Sequence, residues 1–250
     1  MRNKKVGIAV SVVLPTYNEK QNIKEMVRQL LFYIKDNVEI IVSDDNSPDG
    51  TWKIVENISK KNKRVKLLRR FKNKGVGPSI WDGIKSSKGN YIVWMDCDLT
   101  MPPSLVPKMI SLLKDYDVVV GSRYVKGGGD KRSFVRVITS RAINLMANII
   151  LNFKVRDYNS GFVVIKRSVL GNVGFSPGRH GEYCIDFLYN CTKKGYQVKE
   201  VGYVFRERKM GTSKTAQYLY EVLYWGFVYT WTILKLRFKN EGNKNIPIRT

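Results

Sequence analysis

The feature that most constrains this chain is an alternation of short β-branched runs with segments of helical spacing through its first half. Val6 to Leu14 reads as a buried strand, after which Ile23, Met26, Val27, Leu30 and Ile34 recur at the spacing of one helix face. "VEIIVSDD" predicts a second strand and a helix from about Thr51. "RVKLLRR" predicts a third strand, with a helix around Ile80 to Ser86. "YIVWMD" predicts a fourth strand and a helix from Ser104, and "DVVVGSR" a fifth strand. Strands alternating with helices imply a mostly parallel sheet covered by helices on both faces, an α/β fold.

In such sheets ligands bind beyond the carboxyl ends of the strands. The residues at those ends are Pro15-Thr16-Tyr17-Asn18-Glu19, Asp44-Asp45-Asn46, Asp96-Cys97-Asp98 and Ser122-Arg123-Tyr124. Alternation in an extended chain would turn Asp96 and Asp98 to one side. Two carboxylates held that close repel unless a cation lies between them, so the pair points to a metal. Asp44 and Asp45 stand together at the end of the second strand, where one can cap the following turn and the other face a ligand. Asp157, ahead of "NSGF", fits either an Asx turn or an approach to a ligand. Gly75 and Gly77 lack the spacing of a phosphate-cradling loop and read as turn glycines.

Charge narrows the partners. The 250 residues hold 44 Lys and Arg against 21 Asp and Glu, a net +23, which favours anionic ligands without choosing among them. Three cysteines without a CxxC spacing argue against a disulfide framework or a zinc ribbon. The single histidine, His180, makes a histidine-dependent hydrolase a poor fit. The opening "MRNKKVGIAVSVVLPTYNE" imitates a signal peptide but reaches Pro15 without a small-residue cleavage site, so it reads as a strand and places the catalytic part in the cytoplasm.

After "VKGGGDKRS", Phe134 to Phe153 predicts a helix. One row is apolar (Phe134, Ile138, Ala142, Leu145, Ile149), and the opposite row carries Arg136, Ser140 and Asn144. Strands are expected at about Gly161 to Ile165 and Tyr196 to Arg206, with a helix near Glu182 to Lys194 between them. Residues 218 to 238, "YLYEVLYWGFVYTWTILKLRF", would form a helix about 30 Å long. Its clean apolar run, Val222 to Leu234, is short for a membrane span, and its aromatic rings and following Lys235, Arg237 and Lys239 suit a headgroup layer. The expectation is a helix lying on the cytoplasmic leaflet, with a core helix as the alternative.

The segments "VVLPTYNE", "VSDDNSPDGT", "GVG", "MDCDLT", "GSRYVKGG", "RVITSR", "DYNSGF" and "FRERKMGTSK" occur in the order seen in family 2 glycosyltransferases. More narrowly, over about residues 6 to 215 the chain resembles polyprenyl-phosphate glycosyltransferases of the dolichyl-phosphate mannose synthase type. The resemblance implies a GT-A fold over 1–214, with 215–250 as a membrane-interface helix and tail. It implies inverting transfer of a hexose, mannose favoured, from a nucleoside diphosphate sugar such as GDP-mannose to a polyprenyl or dolichyl phosphate, assisted by Mg2+ or Mn2+. Pro15, Tyr17, Glu19 and Asp45 would line the nucleotide pocket. Asp96 would face the nucleotide and Asp98 the metal, with Thr100 as a further oxygen where relatives often carry Gln or Ser. Arg123, Arg136 and Ser140 match phosphate-holding positions, and Arg208 and Lys214 the basic pair of the following loop.

Alternatives stay open at this stage. UDP-glucose is the rival donor on the same scaffold. A metal-dependent nucleotidyltransferase or nuclease would also use paired acids, yet "PTYNE" stands where a Gly-rich nucleotidyl loop belongs. A nucleic-acid or membrane-surface module would explain the charge but not the acids at the strand ends, and no nucleic acid partner is expected.

Overall fold

The computed structural model describes residues 9–35, 37–178, 180–208 and 219–238, with the backbone alone at 219–223. Strands β1 (Val10–Thr16), β2 (Val38–Asp44), β3 (Val65–Arg69), β4 (Tyr91–Trp94) and β5 (Val118–Ser122) follow the expected alternation. Between them lie helices α1 (Ile23–Tyr33), α2 (Thr51–Lys61), α3 (Val76–Lys85) and α4 (Val106–Ser111). The second half holds β6 (Gly129–Lys131), α5 (Phe134–Ile150), β7 (Val163–Lys166), α6 (Arg167–Val173), α7 (Glu182–Lys193), β8 (Val198–Gly202), β9 (Val204–Arg206) and α8 (Leu219–Phe238).

The main sheet runs β3-β2-β1-β4-β7-β5-β8. Its pairs are parallel except that β7 runs antiparallel to both neighbours, β4 and β5. The chain order reverses between β1 and β4, which opens a crevice beyond their carboxyl ends. Successive residues of the central strands feed opposite cores. Val12, Leu14 and Val93 pack with Ile23, Met26 and Leu30 of α1. Val13, Ile92 and Trp94 pack with Ile80 and Ile84 of α3 and Phe187 of α7. Burial on both faces explains why these strands read as continuous apolar runs rather than as alternating ones.

Three expectations are corrected. The segment Tyr196 to Arg206 is two strands, β8 in the main sheet and β9 paired with β6 in a small second sheet. The chain changes sheets at Tyr203, whose N–H donates to the Ser122 carbonyl while its own carbonyl accepts from Gly129. The helix after the fourth strand begins as a tight 3-10 turn at Pro103–Leu105, and its α-helical part is only Val106–Ser111. Gly77 lies in the first turn of α3 rather than in a loop, where an added Cβ would stand 2.0 Å from the Gly178 carbonyl oxygen.

The amphipathic helix α5 sits inside out. Phe134, Val135, Ile138, Leu145 and Ile149 are exposed, Phe134 to 77%. Ser140, Asn144 and Asn148 are buried. The buried polar row is satisfied internally: Asn144 Nδ2 donates to the Ser140 carbonyl and Asn148 Nδ2 to the Asn144 carbonyl. Helix α8 packs against α5 and α7 and buries Ile233 and Leu236 in the core. Its opposite side exposes Tyr224, Phe227, Trp231 and Phe238, at helical spacing. No helix among the described residues is long and apolar enough to cross a membrane.

Candidate active site

A cleft of about 580 Å3 opens over the switch between β1 and β4. Pro15, Tyr17, Glu19, Asp45, Asp96, Asp98, Thr100, Arg123, Arg136, Ser140 and Arg208 all line it. Every site residue expected from the sequence is thus brought together, except Lys214, which lies outside the described residues. Asp44 does not line the cleft; it accepts hydrogen bonds from Thr16 Oγ1 and from Ser47, and so ties β1 to the turn after β2.

The acid end is built by strained backbone. Leu99 has φ +62°, a left-handed conformation that a branched side chain adopts at a cost of about 1–3 kcal/mol. The kink returns Thr100 to Asp98, whose Oδ1 accepts the Thr100 N–H at 3.1 Å and hydroxyl at 2.5 Å. Asp98 Oδ2 faces Arg208, with Nε at 2.6 Å, and Arg208 Nη1 donates to Glu19 Oε1 at 3.1 Å. Burial alone would lower the Arg208 pKa, but the surrounding carboxylates of Asp98, Glu19 and Asp96 raise it, so it stays a cation. Thr100 therefore orients Asp98. Two carboxylates and a hydroxyl are all hard oxygen donors, a set that suits Mg2+ or Mn2+ completed by substrate phosphates. Among the described residues no group of three or more His, Cys, Asp or Glu is arranged to hold such an ion unaided.

At the β2 end, the Arg70 guanidinium bonds Asp45 Oδ1, while the Gly75 N–H donates to Asp45 Oδ2 at 2.7 Å. Arg70 also pairs with Asp82 at 2.8 Å and donates to the Asn73 carbonyl. Asp45 is held against the start of α3, and in the same cleft Lys74 Nζ lies over the Tyr17 ring, 5.9 Å from its centroid. Sequence reading missed Arg70, although its place just past β3 matched that of the other strand-end residues.

The opposite wall is cationic. Arg123 is buried and forks onto Asp157, with Nε to Oδ2 at 2.8 Å and Nη2 to Oδ1 at 2.6 Å. Burial pushes the Arg123 pKa down, but Asp157 outweighs it and raises it, so its charge is permanent. Its Nη1 donates to Ser140 Oγ at 2.9 Å. Asp157 is thus spent on Arg123 as a buried carboxylate and does not line the cleft. Arg136 reaches the cleft and makes a loose 3.4 Å pair with half-exposed Glu207. Arg132, forked onto Asp130, adds a cation that the sequence did not signal. Trp225, Gly226 and Tyr229 of α8 close the far side, and the Gly181 N–H donates to Tyr229 Oη at 3.3 Å. Nothing local in the sequence marks these residues, because only the fold-back of α8 brings them here. Burial raises the pKa of Tyr183 and of Tyr229, so both phenols are neutral.

Glycosyl transferase family 2 matches residues 11–174. Over 213 residues the chain is 37% identical to a dolichol-phosphate mannosyltransferase of Pyrococcus furiosus, covering 82% of this chain and 58% of that protein. It is 28% identical to a polyprenol monophosphomannose synthase of Mycolicibacterium smegmatis, covering 86% of each. It is 32% identical to the Saccharomyces cerevisiae dolichol-phosphate mannosyltransferase, covering 67% of this chain and 64% of that one. The chain spans less than two thirds of the archaeal and yeast relatives. Its fold matches glucosyl-3-phosphoglycerate synthase of Mycobacterium tuberculosis, solved with Mn2+, UDP-glucose and phosphoglyceric acid, at TM-score 0.72 and 21% identity over 95% of this chain and 83% of that one. The same enzyme has been solved with Mg2+ and UDP. Sheet order, cleft and sequence agree, and the chain belongs to glycosyl transferase family 2.

Proposed function

We propose that this enzyme transfers mannose from GDP-mannose to a polyprenyl or dolichyl phosphate at a membrane surface, with inversion at the anomeric carbon. The carrying observation is that one cleft holds paired strand-end carboxylates at one end and a fixed Arg123–Ser140 clamp at the other, and is walled by α5 and α8, two helices that also expose large apolar side chains. The names of the relatives support mannose and a lipid phosphate as substrates.

In this reading Tyr17 and Asp45 hold the base, and Glu19 and Asp96 face the nucleotide. Asp98 and Asp96 would hold Mg2+ or Mn2+ against the diphosphate, with Thr100 fixing Asp98. A bound ion would neutralise charge on the departing diphosphate. Arg208 supplies further positive charge on that side, a role in which the sequence pairs it with Lys214. Arg123, Arg136 and Ser140 hold the acceptor's phosphate. A phosphate monoester has a second pKa of about 6 and is mostly ionised at neutral pH. Its oxygen can therefore attack without a strong protein base, which suits a chain with one histidine. Attack from the face opposite the leaving group turns an α-linked donor into a β-linked product.

We assign membrane contact to α5 and α8. Each exposes large apolar side chains, and Arg141 of α5 and Lys235 and Arg237 of α8 are exposed as well. Such a surface suits the headgroup layer of an anionic leaflet, and we assign it to the cytoplasmic face. The described part of residues 1–214 then serves as the catalytic unit and α8 as the interfacial helix.

Calorimetric titration with Mn2+ present tests the donor side. GDP-mannose should bind at least tenfold more tightly than UDP-glucose. The reverse order would make the protein a glucosyltransferase on the same scaffold.

A further inference from the structure

Two residues that do not line the cleft control the geometry of its phosphate-holding wall. Asp157 takes three donors from one residue: the Arg123 backbone N–H at 2.9 Å, Nε and Nη2. Asp157 is itself anchored, its N–H donating to Glu200 Oε1 on β8 at 3.0 Å, beside the Arg156 N–H on Oε2 at 2.8 Å. Of the Arg123 guanidinium, Nη1 is the nitrogen outside this fork, and it points at Ser140 Oγ. Tyr124 approaches the same oxygen from behind the wall, its Oη at 3.0 Å.

A serine hydroxyl has two acceptor lone pairs and one hydrogen. The Arg123 N–H can only donate, so it occupies one lone pair. Between Tyr124 and Ser140 either hydroxyl could donate, but an anion in the cleft is an acceptor. It selects the arrangement in which Tyr124 donates to Ser140 and Ser140 donates its remaining hydrogen to the anion. We propose that Tyr124 and Asp157 are positioning residues: Asp157 fixes Arg123, and Tyr124 directs the Ser140 hydrogen onto the acceptor's phosphate. The proposal rests on the assignment of this wall to the acceptor rather than to the donor.

A double-mutant cycle on Tyr124→Phe and Ser140→Ala tests it, with KM measured separately for a short polyprenyl phosphate and for GDP-mannose. Tyr124→Phe removes one oxygen and keeps the ring, which lies 5.1 Å from the Arg123 guanidinium. It should raise KM for the lipid phosphate roughly three- to tenfold, the scale of one hydrogen bond, and leave KM for GDP-mannose unchanged. On a Ser140→Ala background the same substitution should add almost nothing, because its effect runs through the serine. Asp157→Asn, if it folds, should shift the same KM by a larger factor. If Ser140→Ala weakens lipid phosphate but Tyr124→Phe does not, or if the two effects simply multiply, the positioning role is wrong and the acceptor wall stands. If Ser140→Ala moves only the KM for GDP-mannose, the acceptor assignment fails and the inference with it.

Discussion

Arg208 lies directly on Asp98, its Nε 2.6 Å from Oδ2, and spans across to Glu19. A guanidinium therefore occupies the carboxylate face that a divalent ion would need. Cation and arginine compete for one set of oxygens, and arrival of a sugar nucleotide would give Arg208 a new anionic partner. Arg208→Gln should bind Mn2+ alone more tightly, by roughly tenfold or about 1.4 kcal/mol. The same variant should bind GDP more weakly. Electron paramagnetic resonance of free Mn2+ reads the first effect and calorimetry the second; unchanged Mn2+ affinity would show that the contact does not compete with metal.

Asp98→Asn keeps the shape of the side chain and its bonds to Thr100 but removes the charge. Transfer should fall by roughly 10²- to 10³-fold, the scale of losing one electrostatic stabiliser. Thermal unfolding should move little. Near-normal transfer by this variant, or by the unaltered protein in excess chelator, would remove the metal from the account.

The inverted helix α5 makes its own prediction. Phe134→Glu with Ile138→Glu, both at exposed positions, should leave the fold intact and weaken sedimentation with vesicles rich in anionic phospholipid by more than tenfold, since burying one such side chain is worth roughly 1.5–3 kcal/mol. Phe227→Glu on α8 should act in the same direction. Transfer to a short, water-soluble acceptor should survive. Equal vesicle binding by all three proteins would place the membrane contact elsewhere.

The acceptor's own ionisation should set the acid limb of the pH profile. With the second phosphate pKa near about 6, kcat/KM for the lipid phosphate should climb with unit slope below that point and level off above it. His180, the single histidine, lines the cleft with its ring tilted 45° against that of Trp225. His180→Gln should nevertheless keep the inflection, because the titrating group is the substrate. Loss of the inflection in this variant would make the histidine a base.

Much of this arrangement was legible in the sequence because the strands carry their ligand residues at their ends. Once β1, β2, β4 and β5 were read as parallel strands, Glu19, Asp45, Asp98 and Arg123 had to meet at one edge of the sheet. What escaped was tertiary. The helical spacing of Phe134 to Ile149 gave the two faces of α5 but not which was buried, since the usual rule puts the apolar face inside. Here Ser140 and Asn144 go inward because buried partners satisfy them. The break between β8 and β9 at Tyr203 is marked by the single Gly202, where a side chain would collide with the backbone at Lys126 to Gly128, within a run that otherwise stays β-prone. Asp157 read equally well as an Asx turn, and only the position of Arg123 revealed its role.

The most direct test of the central claim is a transfer assay with radiolabelled GDP-mannose, a short polyprenyl phosphate, Mg2+ or Mn2+ and anionic vesicles, with the product examined by NMR. The expected result is a metal-dependent mannosyl phosphoryl polyprenol with a β anomeric linkage, formed much faster than any product from UDP-glucose. Mannose passed to water or to a non-phosphorylated acceptor, or a product with retained α configuration, would contradict the account.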